Sequence, residues 1–346
     1  HILANKKTFH IIGAGIAGLY VAKRIKEKYP SAKVVIYEAA QKAGGRCGSS
    51  FSSKLGCQTD NATHVILSVN KLARVLIGEN EFIHKIRFWN MDSQHYQSVI
   101  KSLPEAQLAA FNTSNADWRI RLKLFEKVLL LPTLKAFYSQ GKLYDTLCAP
   151  LLKYADDILF GYIWQGFEKE NNLITKLIFN QQKIAITSND TIISAVDSAA
   201  YEKVFAKKIF SYKAIANVFF RTSMPLTFPL SQKMLGICHG KSQWIFSGDN
   251  YTAVTISDAR QKPDAREIWY EICRIRNYNS AFLPETDIRF YPTSTINQDA
   301  YNNRLRPRSA ETALKNLFLC GDWTMKNHPC CIESALLSVE RLIKCI

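Results

Sequence analysis

Gly13, Gly15 and Gly18, in the run Gly13-Ala14-Gly15-Ile16-Ala17-Gly18, have the spacing a backbone needs to approach a pyrophosphate. The first glycine would make a tight turn, the second would let backbone meet phosphate, and the third would let a helix pack on a strand. Twenty residues after Gly18 stands Glu38, whose carboxylate would accept hydrogen bonds from an adenosine ribose. Gly44-Gly45-Arg46 follows, and the planar fork of Arg46 suits two phosphate oxygens. Near the other end, Gly321-Asp322-Trp323-Thr324 precedes Pro329, Cys331 and Ile332, where an apolar helical run begins. A helix start of that kind points unpaired N–H groups at whatever lies before it.

The elements that must position these residues are readable around them. Lys7–Ile12 has the run of a buried strand, and Leu19, Ala22 and Ile25 recur at helical spacing up to Lys28. A second strand is expected at Lys33–Tyr37, ending in Glu38, so the glycines stand in a βαβ unit rather than alone. At the far end a strand is expected at Leu317–Cys320 and a helix from Ile332 to Ile343.

The chain has 346 residues, 47% of them apolar, which is enough for a large core and about two domains. Its 45 basic and 29 acidic residues leave a net charge of +16. A field of that sign recruits nucleic acid, acidic headgroups or anionic cofactors. The basic runs lack the aromatic interleaving of a nucleic-acid surface, so nucleic acid is not an expected partner. No run of 18 apolar residues occurs, and the beginning, HILANKKTF, reads as a processed end rather than a signal peptide. Nine scattered cysteines without a CxxC pair point to a reducing, cytoplasmic setting and away from a structural metal.

The glycine pair with its arginine resembles the element by which the amine oxidase and carotenoid desaturase superfamily of flavoproteins holds the FAD pyrophosphate. Gly321–Thr324 with Pro329–Glu333 looks like the closing motif of that superfamily. The resemblance implies an α/β fold in which a Rossmann-like FAD-binding domain is interleaved with an α+β substrate domain. FAD would then lie against Gly13, Gly15, Ile16, Ala17, Gly18, Glu38, Gly44, Gly45 and Arg46 at one end of the chain. Gly321, Asp322, Cys331 and Ile332 would meet it from the other, with Asp322 accepting from the ribitol hydroxyls. The helix start near Ile332 would face the pyrimidine edge of the flavin. The implied FAD-binding parts are residues 1–72, 173–211 and 293–346, with a mostly helical substrate part at 73–172 and a sheet at 212–292.

Residues 57–67, CQTDNATHVIL, and the stretch 214–260 narrow the resemblance to the hydroxysqualene dehydroxylases, the squalene-associated branch, in which a strand pair passes through a Gln-Trp. Gln243 and Trp244 are the candidates for it on the substrate side. The implied reaction is reductive dehydroxylation of hydroxysqualene to squalene, with hydride passing from flavin N5 to the allylic carbon. Other readings stay open: another flavoenzyme of the amine oxidase or desaturase type, or an FAD-binding homologue without turnover that serves as a membrane-attached partner. The chain departs from the family in its short middle, from Phe82 to Asn180, in Asn61-Ala62-Thr63, and in Cys330-Cys331 replacing Ala-Thr.

Individual side chains have competing expectations. His64 is a candidate proton donor or a structural histidine, and Trp323 a wall for flavin or substrate or a core residue. Cys330-Cys331 reads as an acidified thiol pair or as small residues filling a tight turn. Glu333 reads as an acid that suits the dipole of its own helix. Residues 121–147, with Leu122, Phe125, Leu129 and Leu130 at helical spacing and a break at Pro132, fit a core helix pair. The charge favours, for part of that segment, a surface that dips into lipid at the inner face of a membrane. A lipid-like substrate and a membrane surface are thus the expected partners.

Overall fold

The computed structural model describes residues 6–130, 135–222, 228, 232–279 and 281–346. The expected break at Pro132 lies outside them. A five-stranded, all-parallel sheet has the order Asp157–Phe160, Lys33–Glu38, Thr8–Ile12, Thr191–Ser194, Leu317–Leu319. These strands are nearly continuous runs of apolar residues, as a sheet covered on both faces requires. One face is covered by the helices Ile16–Lys28 and Ile332–Ile343, through Leu19, Val21, Ile25, Leu336 and Val339. The other is covered by an antiparallel meander of Trp164–Glu170, Leu173–Phe179 and Lys183–Ala185, through Trp164, Leu177 and Phe179 against Val35, Tyr37 and Ile192.

The expected βαβ unit and the final strand and helix are therefore present, with small differences at their ends. Asp157–Phe160 is a larger difference: it belongs by sequence to the expected helical substrate part, yet it pairs with Lys33–Glu38 as the edge of the parallel sheet. The signal was weak because a short edge strand needs only four residues and takes its partner from far away in sequence. Residues 73–172 are also not mostly helical, since Phe88–Asn90 and His95–Gln97 extend the second sheet.

That second sheet has seven strands in the order Thr286–Ile296, Tyr212–Arg221, Tyr251–Ser257, Trp244–Ser247, Met234–Cys238, Phe88–Asn90, His95–Gln97. Alternation along Tyr212–Arg221 sends Val218 and Phe220 to a core under the helix Ala265–Arg276. Asn217 belongs to the alternate set of positions, whose opposite face looks toward the nucleotide half of the molecule.

Glu333 caps a helix, but not its own. Its carboxylate accepts from the backbone N–H groups of Leu72 and Ala73 at 3.0 and 2.9 Å, in the first turn of Lys71–Ile77. The residue is buried, so the bonds are shielded from water. Glu333→Ala is expected to cost roughly 1–3 kcal/mol of stability, read as a lower urea midpoint, because two N–H groups lose an ionised acceptor.

Candidate functional site

One cavity of about 630 Å³ runs between the two sheets. At its nucleotide end it is lined by Gly13, Gly15, Ile16, Ala17, Glu38, Gly44, Gly45, Arg46, Gly321, Asp322, Cys331 and Ile332, which the sequence had placed together. Gly18 is the exception, because it stands behind the cavity as a packing residue. A Cβ on it would lie 1.9 Å from the Gly13 carbonyl oxygen.

Gly15 is the informative one. Its backbone, at φ −72° and ψ −178°, is open to any residue, and a Cβ built there meets nothing within 4 Å. No contact among the described residues accounts for a glycine there, and the space in front of it belongs to the cavity. Gly44 and Gly45 adopt φ of +111° and +53°, and the Gly44 N–H donates to the Ala14 carbonyl at 2.8 Å. The two glycine loops thus form one continuous backbone cradle. The helix Ile16–Lys28 starts there with Gly15 as its cap, no side-chain acceptor and no acidic residue in its first turn. Its partial positive charge is left for an anion.

At the second helix start, Cys331 caps Ile332–Ile343 without a side-chain bond, and Glu333 is engaged elsewhere. Asp322 Oδ1 accepts from Arg46 Nη2 and from the Trp323 N–H, both at 2.9 Å. Among the described residues no hydrogen bond reaches its Oδ2, which leaves an acceptor on a residue of the cavity wall. Arg46 is held ionised by Asp322 beside it, and its side chain keeps 48% of its surface exposed. Arg46 and Asp322, expected on phosphate and on ribitol, are joined here by an ion pair at the cavity wall. Glu38 is similarly engaged, accepting from Ala14 N at 2.7 Å and Ala40 N at 2.8 Å, so its carboxylate is aimed by the loop it borders.

Four other side chains depart from the site roles considered for them. Trp323 does not line the cavity; its Nε1–H donates to the Val196 carbonyl at 3.0 Å and its ring packs on Tyr201 and Phe210 in a satellite core. Gln243 clamps the backbone of Ser257, donating to its carbonyl at 2.9 Å and accepting from its N–H at 2.8 Å, outside this cavity. Only Trp244 of that pair reaches the cavity. His64 does line it, and burial pushes its pKa down to about 4, which favours the neutral imidazole. Cys330 is no acidified thiol, since burial pushes it up to about 12.

Beyond the nucleotide end the walls turn apolar, with Ile86, Phe88, Phe111, Leu124, Trp244 and Phe246. Leu124 comes from the helix Trp118–Leu129, whose inner side also buries Ile120. Its outer side does the opposite. Trp118, Leu122, Phe125 and Leu129 recur at i, i+4, i+7 and i+11 and are 64, 55, 45 and 50% exposed. At 100° per residue those four share one stripe, with Arg119 and Arg121 on its two sides. The helix thus has one buried and one exposed apolar face, and it is followed by the strand Lys135–Phe137 rather than by the second helix of the expected pair. No helix among the described residues is long and apolar enough to cross a membrane.

Comparison with known proteins agrees with this geometry. Residues 11–77 match the model of an NAD(P)-binding Rossmann-like domain. Curated proteins named hydroxysqualene dehydroxylase, from Sinorhizobium fredii and Rhodopseudomonas palustris, are each 27% identical, covering 97% of this chain and 97% of their own. The chain is similar to hydroxysqualene dehydroxylases over nearly its whole length. The Sinorhizobium comparison spans 411 aligned positions against the 346 residues here, so those dehydroxylases carry segments that this chain lacks. A putative protoporphyrinogen oxidase from Exiguobacterium shares the fold, with TM-score 0.67 at 10% identity over 98% of both chains. An oxidoreductase from Methanosarcina mazei does so at TM-score 0.62 and 12% identity, over 97% of this chain and all of that one.

Proposed function

We propose that the chain is an FAD-dependent oxidoreductase that reductively removes the hydroxyl of hydroxysqualene, a reaction named in its relatives. The observation that carries this reading is the continuity of one cavity, a backbone cradle for a pyrophosphate at one end and an apolar chamber at the other. FAD, bound in reduced form, supplies the hydride. The C–O bond of the substrate breaks, a C–H bond forms at the same allylic carbon, and the hydroxyl takes up a proton and departs as water. The chain's own work is to hold the dinucleotide and to keep water from a long hydrocarbon.

Arg46 and Asp322 supply a check on FAD itself. Arg46→Lys replaces a planar fork by a point charge and is expected to weaken FAD. Asp322→Ala is expected to weaken it by roughly 1–3 kcal/mol, through a lost acceptor and an unpaired Arg46. Equal FAD titrations for both variants and the unmodified protein would remove these residues from the binding site. For the reaction, the FAD-loaded protein, reduced without oxygen and given hydroxysqualene in vesicles, is expected to form squalene as visible flavin absorption returns. Bound FAD with no squalene would leave the non-catalytic homologue in front.

The stripe of Trp118, Leu122, Phe125 and Leu129 is the proposed contact with an anionic bilayer leaflet. A hydrocarbon substrate resides in the bilayer, and the inner side of this helix already lines the chamber. Apolar side chains between two arginines match acyl chains beneath acidic headgroups.

A further inference from the structure

Asn217 sits in the middle of Tyr212–Arg221, fully buried and directly opposite Thr255 of the neighbouring strand. Its Oδ1 accepts from Thr255 Oγ1 at 2.9 Å, and its Nδ2 has no partner. The residue lines the apolar part of the cavity. Turning the amide over would not remove the problem, because Thr255 can engage only one end and the other would still be bare. A buried amide left unmade costs stability, so its place at a chamber wall calls for a ligand atom.

Two other polar side chains of that wall are engaged. Asn112 donates to the Lys213 carbonyl and Thr295 Oγ1 and accepts from the Asp258 N–H, while Lys127 donates to Asn70 Oδ1. Apart from Asn217, the one cavity residue with a bare buried polar atom is His64, through Nε2. His64, however, adjoins Arg46 at the nucleotide end, as their mutual influence on its protonation shows. Among the described residues Asn217 is thus the fully buried one at the hydrocarbon end with a bare donor; the indole N–H of Trp244 there also has no protein acceptor but belongs to a partly exposed side chain.

We infer that Asn217 is the anchor for the substrate's hydroxyl. Its N–H groups donate to the oxygen of a long-chain alcohol, and Thr255 holds the amide in the orientation that allows it. This inference rests on the reading of the chain as a dehydroxylase and adds the residue that distinguishes substrate from product. When the oxygen leaves as water, the hydrocarbon offers Asn217 no acceptor, so the product is bound less well than the substrate. A site built around a hydrogen bond discriminates against the ligand lacking it far more strongly than an apolar pocket discriminates by shape.

The test compares binding of hydroxysqualene and squalene to the FAD-loaded protein, followed by the perturbation of flavin absorption. The unmodified protein is expected to prefer the alcohol, and Asn217→Leu to lose roughly 10- to 100-fold of that preference, with squalene affinity kept or improved. Retained flavin absorption would certify that the variant is folded. Should Asn217→Leu fail to fold, Thr255→Val keeps the volume and removes the orienting bond, and is expected to lose a smaller part of the preference. A preference unchanged in the variant that folds, or absent from the unmodified protein, would overturn the anchor. Squalene production by the unmodified protein with Asn217→Leu keeping its preference would sink the anchor alone. Discrimination without any squalene production would sink the reaction and leave the anchor standing.

Discussion

Gly15→Val protein is expected to fold and to be colourless. The backbone at Gly15 is in an ordinary extended conformation and its Cβ direction is open, so valine introduces neither strain nor collision. Circular dichroism and the thermal midpoint should stay close to those of the unmodified protein. The flavin, by contrast, should be lost, because the side chain would occupy the space where backbone and pyrophosphate meet. Gly18→Val makes the matched comparison, since its Cβ would fall 1.9 Å from the Gly13 carbonyl oxygen, a backbone atom that cannot swing aside. That variant is expected to lose fold and flavin together. Full FAD binding by Gly15→Val would remove the cradle from the functional reading.

The second large effect concerns the membrane. Replacing Trp118, Leu122 and Phe125 together by serine is expected to lower partitioning to anionic vesicles by on the order of 10²-fold or more, since each apolar side chain contributes about 1.5–3 kcal/mol when fully buried. Stability should change far less, because all three side chains are already about half exposed. The unmodified protein should bind anionic vesicles less as salt rises, and neutral vesicles weakly, each arginine near the leaflet contributing roughly 1 kcal/mol. Co-sedimentation reads all of this. Equal partitioning of the triple variant would move the docking surface elsewhere, and equal binding to neutral vesicles would remove the role of charge.

Legibility in the sequence followed the distance over which each feature is decided. The helix Ile332–Ile343 was read to its ends, since a proline, an apolar period and a basic last turn are local signals. The βαβ unit was equally plain, because its glycines, strands and acidic residue lie within one short stretch. What escaped was decided across the chain. Glu333 sits at its own helix start but caps residues 72 and 73, Arg46 finds Asp322, and Gln243 is taken up by Ser257 two strands' length away. Asn217 gave no sign at all, because its meaning lies in a partner it does not have. The strand is buried on both faces from Ala216 to Phe220, which explains why position 217 is inside but not why it is polar.

The parallel sheet sets Thr8–Ile12 and Leu317–Leu319 on either side of Thr191–Ser194, and the helices that follow the two outer strands are clasped by Tyr20 and Arg24 on Glu340. A ribosome makes these pieces far apart in time. The glycine loops are made well before the seven-stranded sheet, and Leu317–Leu319 and Ile332–Ile343 after it. The cavity walls contributed by Gly321, Asp322 and Ile332 are thus in place only after that sheet is made. Under the proposed function the dinucleotide would be gripped fully only then, and would tie the two distant stretches together. A cell short of the cofactor should accumulate molecules whose C-terminal strand and helix are the first segment that proteases remove.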